Sequence, residues 1–252
     1  MTHWKKLEVY RQLQAEEISP SFKNFAHYIA NELFKENFKL KESKTVKKFY
    51  RFNEDFEQAV YFETLSSKTD FRIKIAIKPL FSDPAIPYWI LEAFEISAGF
   101  KRSYPLTQEY LLLAGHLVEE TRKSLIPFFD QYDSYQKVVL HHQDLLKHYR
   151  TNDSETIPEF VSADLLFYDS SFKARDIALF NQSHAKFLKR ELFVYERFKD
   201  DPAAGKEISD RIEAFKQLHL IFNDDKRYQQ EIEKLNQKSA DYLNTFQKKR
   251  TK

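Results

Sequence analysis

The sequence predicts an α+β protein in which a small antiparallel β-sheet with N-terminal helices is followed by an all-helical C-terminal region. Between residues 47 and 79, apolar side chains recur at every second position, which is the period of a strand with one buried face. The clearest alternating series is Phe71, Ile73, Ile75 and Ile77. Beyond about Leu106, apolar side chains recur every three or four positions, which is the period of an amphipathic helix. We therefore expect an α+β unit over 1–105 and a helical unit over 106–252, and whether the two share one core stays open.

Two helices are predicted ahead of the sheet. Apolar residues at helical spacing between Trp4 and Leu13 indicate the first. The second begins at Ser19-Pro20, because Ser is a frequent N-cap and Pro is tolerated in the first helical turn. Its apolar residues continue to Phe34, and we expect the helix to end near Asn37.

The first hairpin of the sheet turns at a polar break over residues 53–55. A pairing of residues whose numbers sum to 108 sets Phe52 opposite Phe56 on an apolar face. The same pairing brings Arg51 beside Glu57 on the opposite face. We predict this register because a slip by one residue would set apolar side chains against charged ones.

The second hairpin is predicted to pair residues whose numbers sum to 135. Phe62 then lies opposite Ile73, Glu63 lies opposite Arg72, and the loop between the strands has a common length. Both hairpins would share one apolar face and one charge-matched face. The following segment from Trp89 to Ser97 is either a fourth strand, with Ile90 among its inward residues, or a short helix.

The helical region is divided by residues that begin or interrupt helices. These residues are Thr107, Pro127, Pro158, Asp201-Pro202 and Asn223-Asp224. A long helix is predicted from about Ser171 to Phe198, and its buried stripe comprises Ile177, Phe180, His184, Phe187, Leu188, Leu192 and Tyr195. Isolated histidines on apolar faces, such as His184 and His219, are predicted to be packed rather than catalytic.

The segment from Phe25 to Pro79 resembles the N-terminal part of the bacterial family called domain of unknown function 4304. The resemblance rests on an aromatic helix, a short turn segment and three strands, namely 25–34, 37–39, 48–51, 59–62 and 71–77. Members are expected to carry Gly where this chain has Asn37, and Asn also tolerates the left-handed backbone conformation that such a turn needs. The family implies no activity, so no residue inherits a role from it.

Composition restricts the class of protein and its partners. The chain has 252 residues, of which 42% are hydrophobic and 31% charged, as in a globular protein. A net charge of +2 disfavours nucleic acid and anionic membranes as partners. Cysteine is absent, which excludes disulfides, thiolate zinc sites and cysteine nucleophiles, and we expect a cytoplasmic location. The three glycines disfavour glycine-rich phosphate loops.

One group of residues has the chemistry of metal ligands. His141, Asp144 and His148 are spaced so that they lie on one face of a helix. Neutral imidazole and carboxylate are ligands that zinc, iron and manganese accept. The alternative is a solvent-facing strip on a helix whose buried side carries Leu145.

A second group lies on the predicted outer face of the sheet. Lys47, Tyr61 and Lys74 would come together there as a partner-binding patch. Basic residues around an aromatic ring also suit single-stranded nucleic acid. However, Glu57 and Glu63 fall in the same patch and would repel a phosphate backbone.

No catalytic motif stands out, so the leading hypothesis is a non-enzymatic cytoplasmic protein-binding module, with an immunity-like protein that neutralises a toxin as its specific version. The predicted partner is another protein, and no cofactor is predicted. The alternative is a metal-dependent hydrolase that uses His141, Asp144 and His148. The second alternative is a nucleic-acid binder that uses the sheet face. The sequence does not predict an oligomeric state.

Overall fold

The computed structural model describes residues 22–66, 69–81, 89–105, 110–148 and 162–248, and for residues 89, 110, 146–148, 162, 163 and 246–248 it describes the backbone alone. Within these ranges a helix, an antiparallel sheet and a helical region follow one another, which confirms the predicted α+β class. The helix predicted between Trp4 and Leu13 lies outside the described residues. No helix in the described ranges is long and apolar enough to cross a membrane.

Helix α1 (Phe22–Glu32) continues into a 3-10 turn (Leu33–Glu36) that ends at Asn37. Asn37 has φ 64°, which is the left-handed conformation, and its N–H donates to the carbonyl oxygen of Phe34 at 3.0 Å. Both the predicted helix end and the predicted backbone conformation of Asn37 are therefore confirmed.

Within the described residues the sheet has six strands. They are β1 (Lys39–Glu42), β2 (Val46–Phe52), β3 (Phe56–Thr64), β4 (Asp70–Pro79), β5 (Trp89–Glu92) and β6 (Tyr104–Pro105). The first five strands lie in chain order, and β6 pairs with β4. On the face toward α1, aromatic rings form a continuous cluster in which Phe25 contacts Phe62 and Phe71 with centroid distances of 5.7 and 5.0 Å.

The predicted register of the first hairpin is wrong by one residue. β2 and β3 pair residues whose numbers sum to 109, so Phe49 lies opposite Val60 and Phe52 lies opposite Glu57. The turn explains the difference. The backbone N–H of Asn53 donates to the carbonyl oxygen of Phe56 at 3.1 Å, so only residues 54 and 55 lie beyond the last paired residues. The Asn53 side chain also accepts hydrogen bonds from the backbone N–H groups of Asp55 and Phe56.

This register also exchanges faces along β2. Arg51, predicted on the outer face beside Glu57, lies on the face toward α1, where its guanidinium is over the Phe38 ring at 5.2 Å. Glu57 is buried on the outer face and pairs with Lys48 instead. A shift of one residue reverses the face of every side chain on a strand.

The described contacts of the second hairpin agree with its predicted register. The N–H of Leu65 donates to the carbonyl oxygen of Asp70 at 2.8 Å, and Arg72 pairs with Glu63 at 2.9 Å. The segment after the connector contains both alternatives in turn, because β5 is followed directly by α2 (Ala93–Ile96). Ile90 is exposed rather than inward, and Leu91 takes the buried position.

Helix α3 (Tyr110–Glu120) passes through a π-turn (Thr121–Leu125) into α4 (Ile126–Gln131), so the helix continues where Pro127 was predicted to break it. The N–H of Ile126 donates to the carbonyl oxygen of Thr121, five residues back. This wider turn accommodates the proline ring, which would clash with the preceding turn of a regular α-helix.

Contacts group the described residues into two compact units. The first contains those up to Ile77 together with Ile90–Gln131, and the second contains those in Lys78–Trp89 and from Tyr132 onward. This grouping differs from the predicted boundary after residue 105. Within the first unit, Arg122 of the π-turn donates to the Glu36 carboxylate at 2.7 Å and to the carbonyl oxygen of Glu32 at 2.8 Å, which attaches the π-turn to α1 and the 3-10 turn that follows it.

The described helices of the second unit are α5 (Tyr135–Leu140), α6 (His142–His148), α7 (Ser162–Ala174), α8 (Ile177–Phe198), α9 (Pro202–Phe222) and α10 (Asp225–Lys248). The helix starts predicted at Asp201-Pro202 and Asn223-Asp224 are confirmed. Aromatic residues from α7 to α10 form a shared core, which comprises Tyr168, Phe172, Phe180, Phe187, Phe222 and Tyr228.

The single helix predicted over 171–198 is wrong, because α7 ends and α8 begins within it. Arg175 has φ 55°, and the N–H of Asp176 donates back to the carbonyl oxygen of Ser171 at 2.9 Å. This is the Schellman pattern that ends a helix. Asp176 then caps α8 by accepting from the N–H of Leu179 at 2.8 Å.

Candidate protein-binding surface

The predicted metal ligands are only partly brought together. His141 and Asp144 approach each other to 3.9 Å between Nδ1 and Oδ2, and their side chains are 34% and 51% exposed. The His148 side chain lies outside the described part of the structure. Among the side chains that are described, no three histidine or carboxylate groups are close enough to share a metal ion.

The predicted sheet patch is divided between two faces. Lys47 lies opposite Phe62 on the face toward α1, where it is 5% exposed and donates to the carbonyl oxygen of Ser43 at 2.6 Å. Tyr61 and Lys74 belong to the outer face, where Lys74 pairs with Glu63 at 2.9 Å. The register of the first hairpin, one residue away from the prediction, is the reason that Lys47 is on the other face.

Histidines His184 and His219 are packed within the helical unit, as predicted. His184 is 9% exposed and stacks on Phe180 at a centroid distance of 5.8 Å. The Tyr168 hydroxyl lies 3.5 Å from Nδ1 of His184. Burial, with a smaller contribution from His219, lowers the pKa of His184. The pair therefore belongs to the core between α7, α8 and α9.

Helix α8 packs against its neighbours through one inward face. Its inward face is formed by Phe180, His184 and Phe187, and continues at Glu191, which is buried. The Glu191 carboxylate accepts from Arg211 of α9 at 3.1 Å and lies 3.4 Å from Arg190. A buried carboxylate that has two guanidinium partners is compensated for the loss of water. The inward face of α8 is thereby fixed.

The turn from α8 to α9 leaves little room between the two helices. Asp201 caps α9 by accepting from the N–H groups of Ala203 and Ala204. A Cβ atom on Gly205 would lie 3.1 Å from the carbonyl oxygens of both Phe198 and Lys199. The absence of a side chain at Gly205 therefore lets α9 begin directly against the end of α8.

The outward face near the end of α8 exposes two large apolar neighbours. Leu192 is 46% exposed and Phe193 is 43% exposed. The Arg197 guanidinium lies 4.4 Å from the centroid of the Phe193 ring and covers part of it. We call Leu192, Phe193 and Arg197 the α8 patch. A helix that presents an exposed phenylalanine ring beside an arginine carries side chains of the types that are enriched at protein interfaces.

Sequence reasoning assigned Leu192 to the buried stripe, together with Ile177, and both assignments are wrong. Ile177 is 64% exposed at the first position of α8. Glu191 occupies the inward position next to Leu192, because its carboxylate is paired with arginines. A signal was available: Phe180, His184 and Phe187 recur at spacings of four and three, and the next position in this series is Glu191 rather than Leu192.

No family model, curated protein or solved structure matches this chain. The resemblance of the segment from Phe25 to Pro79 to the domain of unknown function 4304 family therefore stays a prediction. The function is therefore inferred from the geometry of the chain itself.

Proposed function

We propose that this protein is a non-enzymatic cytoplasmic protein-binding module whose binding surface is the α8 patch. The observation that carries the proposal is the pair of adjacent, nearly half-exposed side chains Leu192 and Phe193 with Arg197 stacked on the ring. Aromatic residues and arginine are enriched at the centres of protein interfaces. The lack of cysteine in the chain supports the cytoplasmic location.

The α8 patch leaves apolar surface exposed to water, and a partner that covers this surface gains binding free energy. Covering the exposed parts of Leu192 and Phe193 would contribute on the order of 1 kcal/mol each to binding. The patch is held by a helix whose opposite face is packed, so little conformational freedom is lost when a partner binds. A preorganised surface of this kind converts more of its buried area into affinity than a flexible one does.

A pair of matched variants tests this proposal in the native host. The tagged protein, produced at its normal level, is captured with its partners and quantified by mass spectrometry. We expect one protein at defined stoichiometry, and we expect its recovery to fall about tenfold or more when Leu192 and Phe193 are both replaced by Ser.

The control variant is Leu112→Ser, because Leu112 is 75% exposed on α3 in the other unit. It removes a comparable apolar side chain away from the patch and should leave recovery unchanged. Equal recovery with all three proteins would contradict the proposal. Circular dichroism of each variant would show that the helices are retained.

The immunity-like version adds one requirement to this proposal. The captured partner should arrest growth when it is produced alone, and co-production of this protein should restore growth. The variant with Ser at positions 192 and 193 should not restore it. A partner that is harmless on its own would contradict the neutralising role and leave the binding role intact.

A further inference from the structure

We infer that the partner presents an acidic segment with an apolar side chain at its centre to the α8 patch. This inference rests on the proposed function and specifies the chemistry of the partner. It comes from the charges around the patch, which are separate from the apolar pair at its centre. The exposed cations of α8 outnumber its exposed carboxylates.

The outward face of α8 carries an excess of positive charge. Its exposed cations are Lys186, Lys189 and Arg197. Glu196 is the only exposed carboxylate within Ile177–Phe198, and it pairs with Lys199 at 2.7 Å. The structure describes every side chain of α8, so these three cations and one carboxylate are all the exposed charged residues of the helix.

Two carboxylates that pair with cations of α8 are largely buried. Asp164 of α7 pairs with Lys186 at 2.8 Å, but its side chain is only 8% exposed while that of Lys186 is 57% exposed. Glu191, at 5% exposure, is held between Arg190 and Arg211. A partner that approaches the outward face of α8 therefore meets the exposed Lys186, Lys189 and Arg197 around an apolar centre.

The arrangement favours an acidic protein segment over other polyanions. The cations from Lys186 to Arg197 extend over about 16 Å of helix, and a nucleic acid of that length would present many more phosphates than these cations neutralise. A phosphate backbone also has no apolar group that could cover Leu192 and Phe193. A protein segment with carboxylates around a leucine or aromatic side chain satisfies both parts of the surface.

The probe for the test is a library of random peptides displayed on phage, selected on the immobilised full-length protein. We expect the enriched peptides to be acidic and to contain a Leu, Phe or Trp residue. A selected peptide, measured by fluorescence anisotropy, should bind about tenfold more weakly to Arg197→Glu and more weakly as salt increases. The matched control is Lys216→Glu, which reverses an exposed charge on α9.

Different failures separate this inference from the proposed function. Enrichment of neutral or basic peptides that require Leu192 and Phe193 would overturn the acidic partner and leave the protein-binding function standing. Binding that is equal for Arg197→Glu and Lys216→Glu would also overturn the inference. Binding only to phosphatidylserine vesicles or to single-stranded DNA, with no patch-dependent peptide, would overturn both.

Discussion

His184 and His219 stack across the contact between α8 and α9, with ring centroids 4.8 Å apart and planes inclined by 27°. His184 is buried, and Tyr168 lies beside it on α7. Two positive charges at this separation in a desolvated core would repel each other. The pair therefore makes the packing of α8 on α9 sensitive to pH.

The first prediction concerns acidification. Burial and the neighbouring His219 lower the pKa of His184 in the folded protein, so the unfolded chain takes up this proton more readily. The stability from neutral His184 is present above the unfolded pKa of about 6.5 and is lost as the pH falls through it. Urea unfolding at both pH values should therefore show the wild type losing more stability, relative to His184→Gln, at pH 5.5 than at pH 7.5. A difference between the two proteins that is the same at both pH values would contradict the account.

The second prediction has the opposite sign. Burial raises the pKa of Asp169 on α7 to about 7, so the folded protein holds this proton more tightly than the unfolded chain does. Stability is therefore present below the usual pKa of Asp and is lost as the pH rises toward 7 and beyond. Asp169→Asn should stabilise the protein by about 1–3 kcal/mol at pH 8 and by much less at pH 4. A constant effect between these pH values would contradict the desolvation argument.

The third prediction tests the left-handed residue between α7 and α8. Arg175 has φ 55°, and its guanidinium lies over the Tyr228 ring at 4.6 Å and pairs with Asp225. Arg175→Ala removes these contacts and retains the backbone strain, whereas Arg175→Gly removes both. The Gly variant should be more stable than the Ala variant by about 1 kcal/mol in thermal unfolding. Equal stabilities would show that the strain is negligible.

The fourth prediction concerns the first hairpin turn. Asn53→Ala removes the two hydrogen bonds that its side chain accepts, at 3.1 Å from Asp55 and 2.7 Å from Phe56. We expect a loss of about 1–2 kcal/mol in the free energy of unfolding. Asn53→Asp, which retains the acceptor, should recover most of it. A neutral Asn53→Ala variant would mean that strand pairing alone sets the register.

The fifth prediction distinguishes the binding account from the hydrolase alternative. Capture of the partner should survive His141→Ala and His148→Ala, because neither residue belongs to the α8 patch. The hydrolase alternative instead predicts stoichiometric bound metal, measured by elemental analysis, that is lost in His148→Ala. Metal at stoichiometric amounts with no captured partner would favour the alternative.

Periodicity was sufficient to predict the fold class, since the spacing of two along β4 and the spacing of three to four after residue 106 both appear in the structure. The register of the first hairpin depended on how many residues the turn uses. Asn53 decides this through side-chain bonds that periodicity does not contain. The same limit explains why one helix was predicted over 171–198, because an arginine in the left-handed conformation is an uncommon helix end.

The candidate surface was harder to predict than the fold. Apolar spacing assigned Leu192 to the core. In the structure Leu192 is exposed, and the neighbouring Glu191 is buried because its carboxylate pairs with Arg190 and Arg211. When apolar residues cover more of a helix surface than one face can bury, contacts with neighbouring helices decide which face is buried. The residues that make those contacts are distant along the chain.

Native mass spectrometry of the untagged protein from its own host tests the central claim most directly. The account predicts a complex with another protein at defined stoichiometry. It also predicts a bare protein when Leu192 and Phe193 are both replaced by Ser. A complex that is unchanged by these replacements, or a protein that is bare without them, would contradict the assignment of the α8 patch as a protein-binding surface.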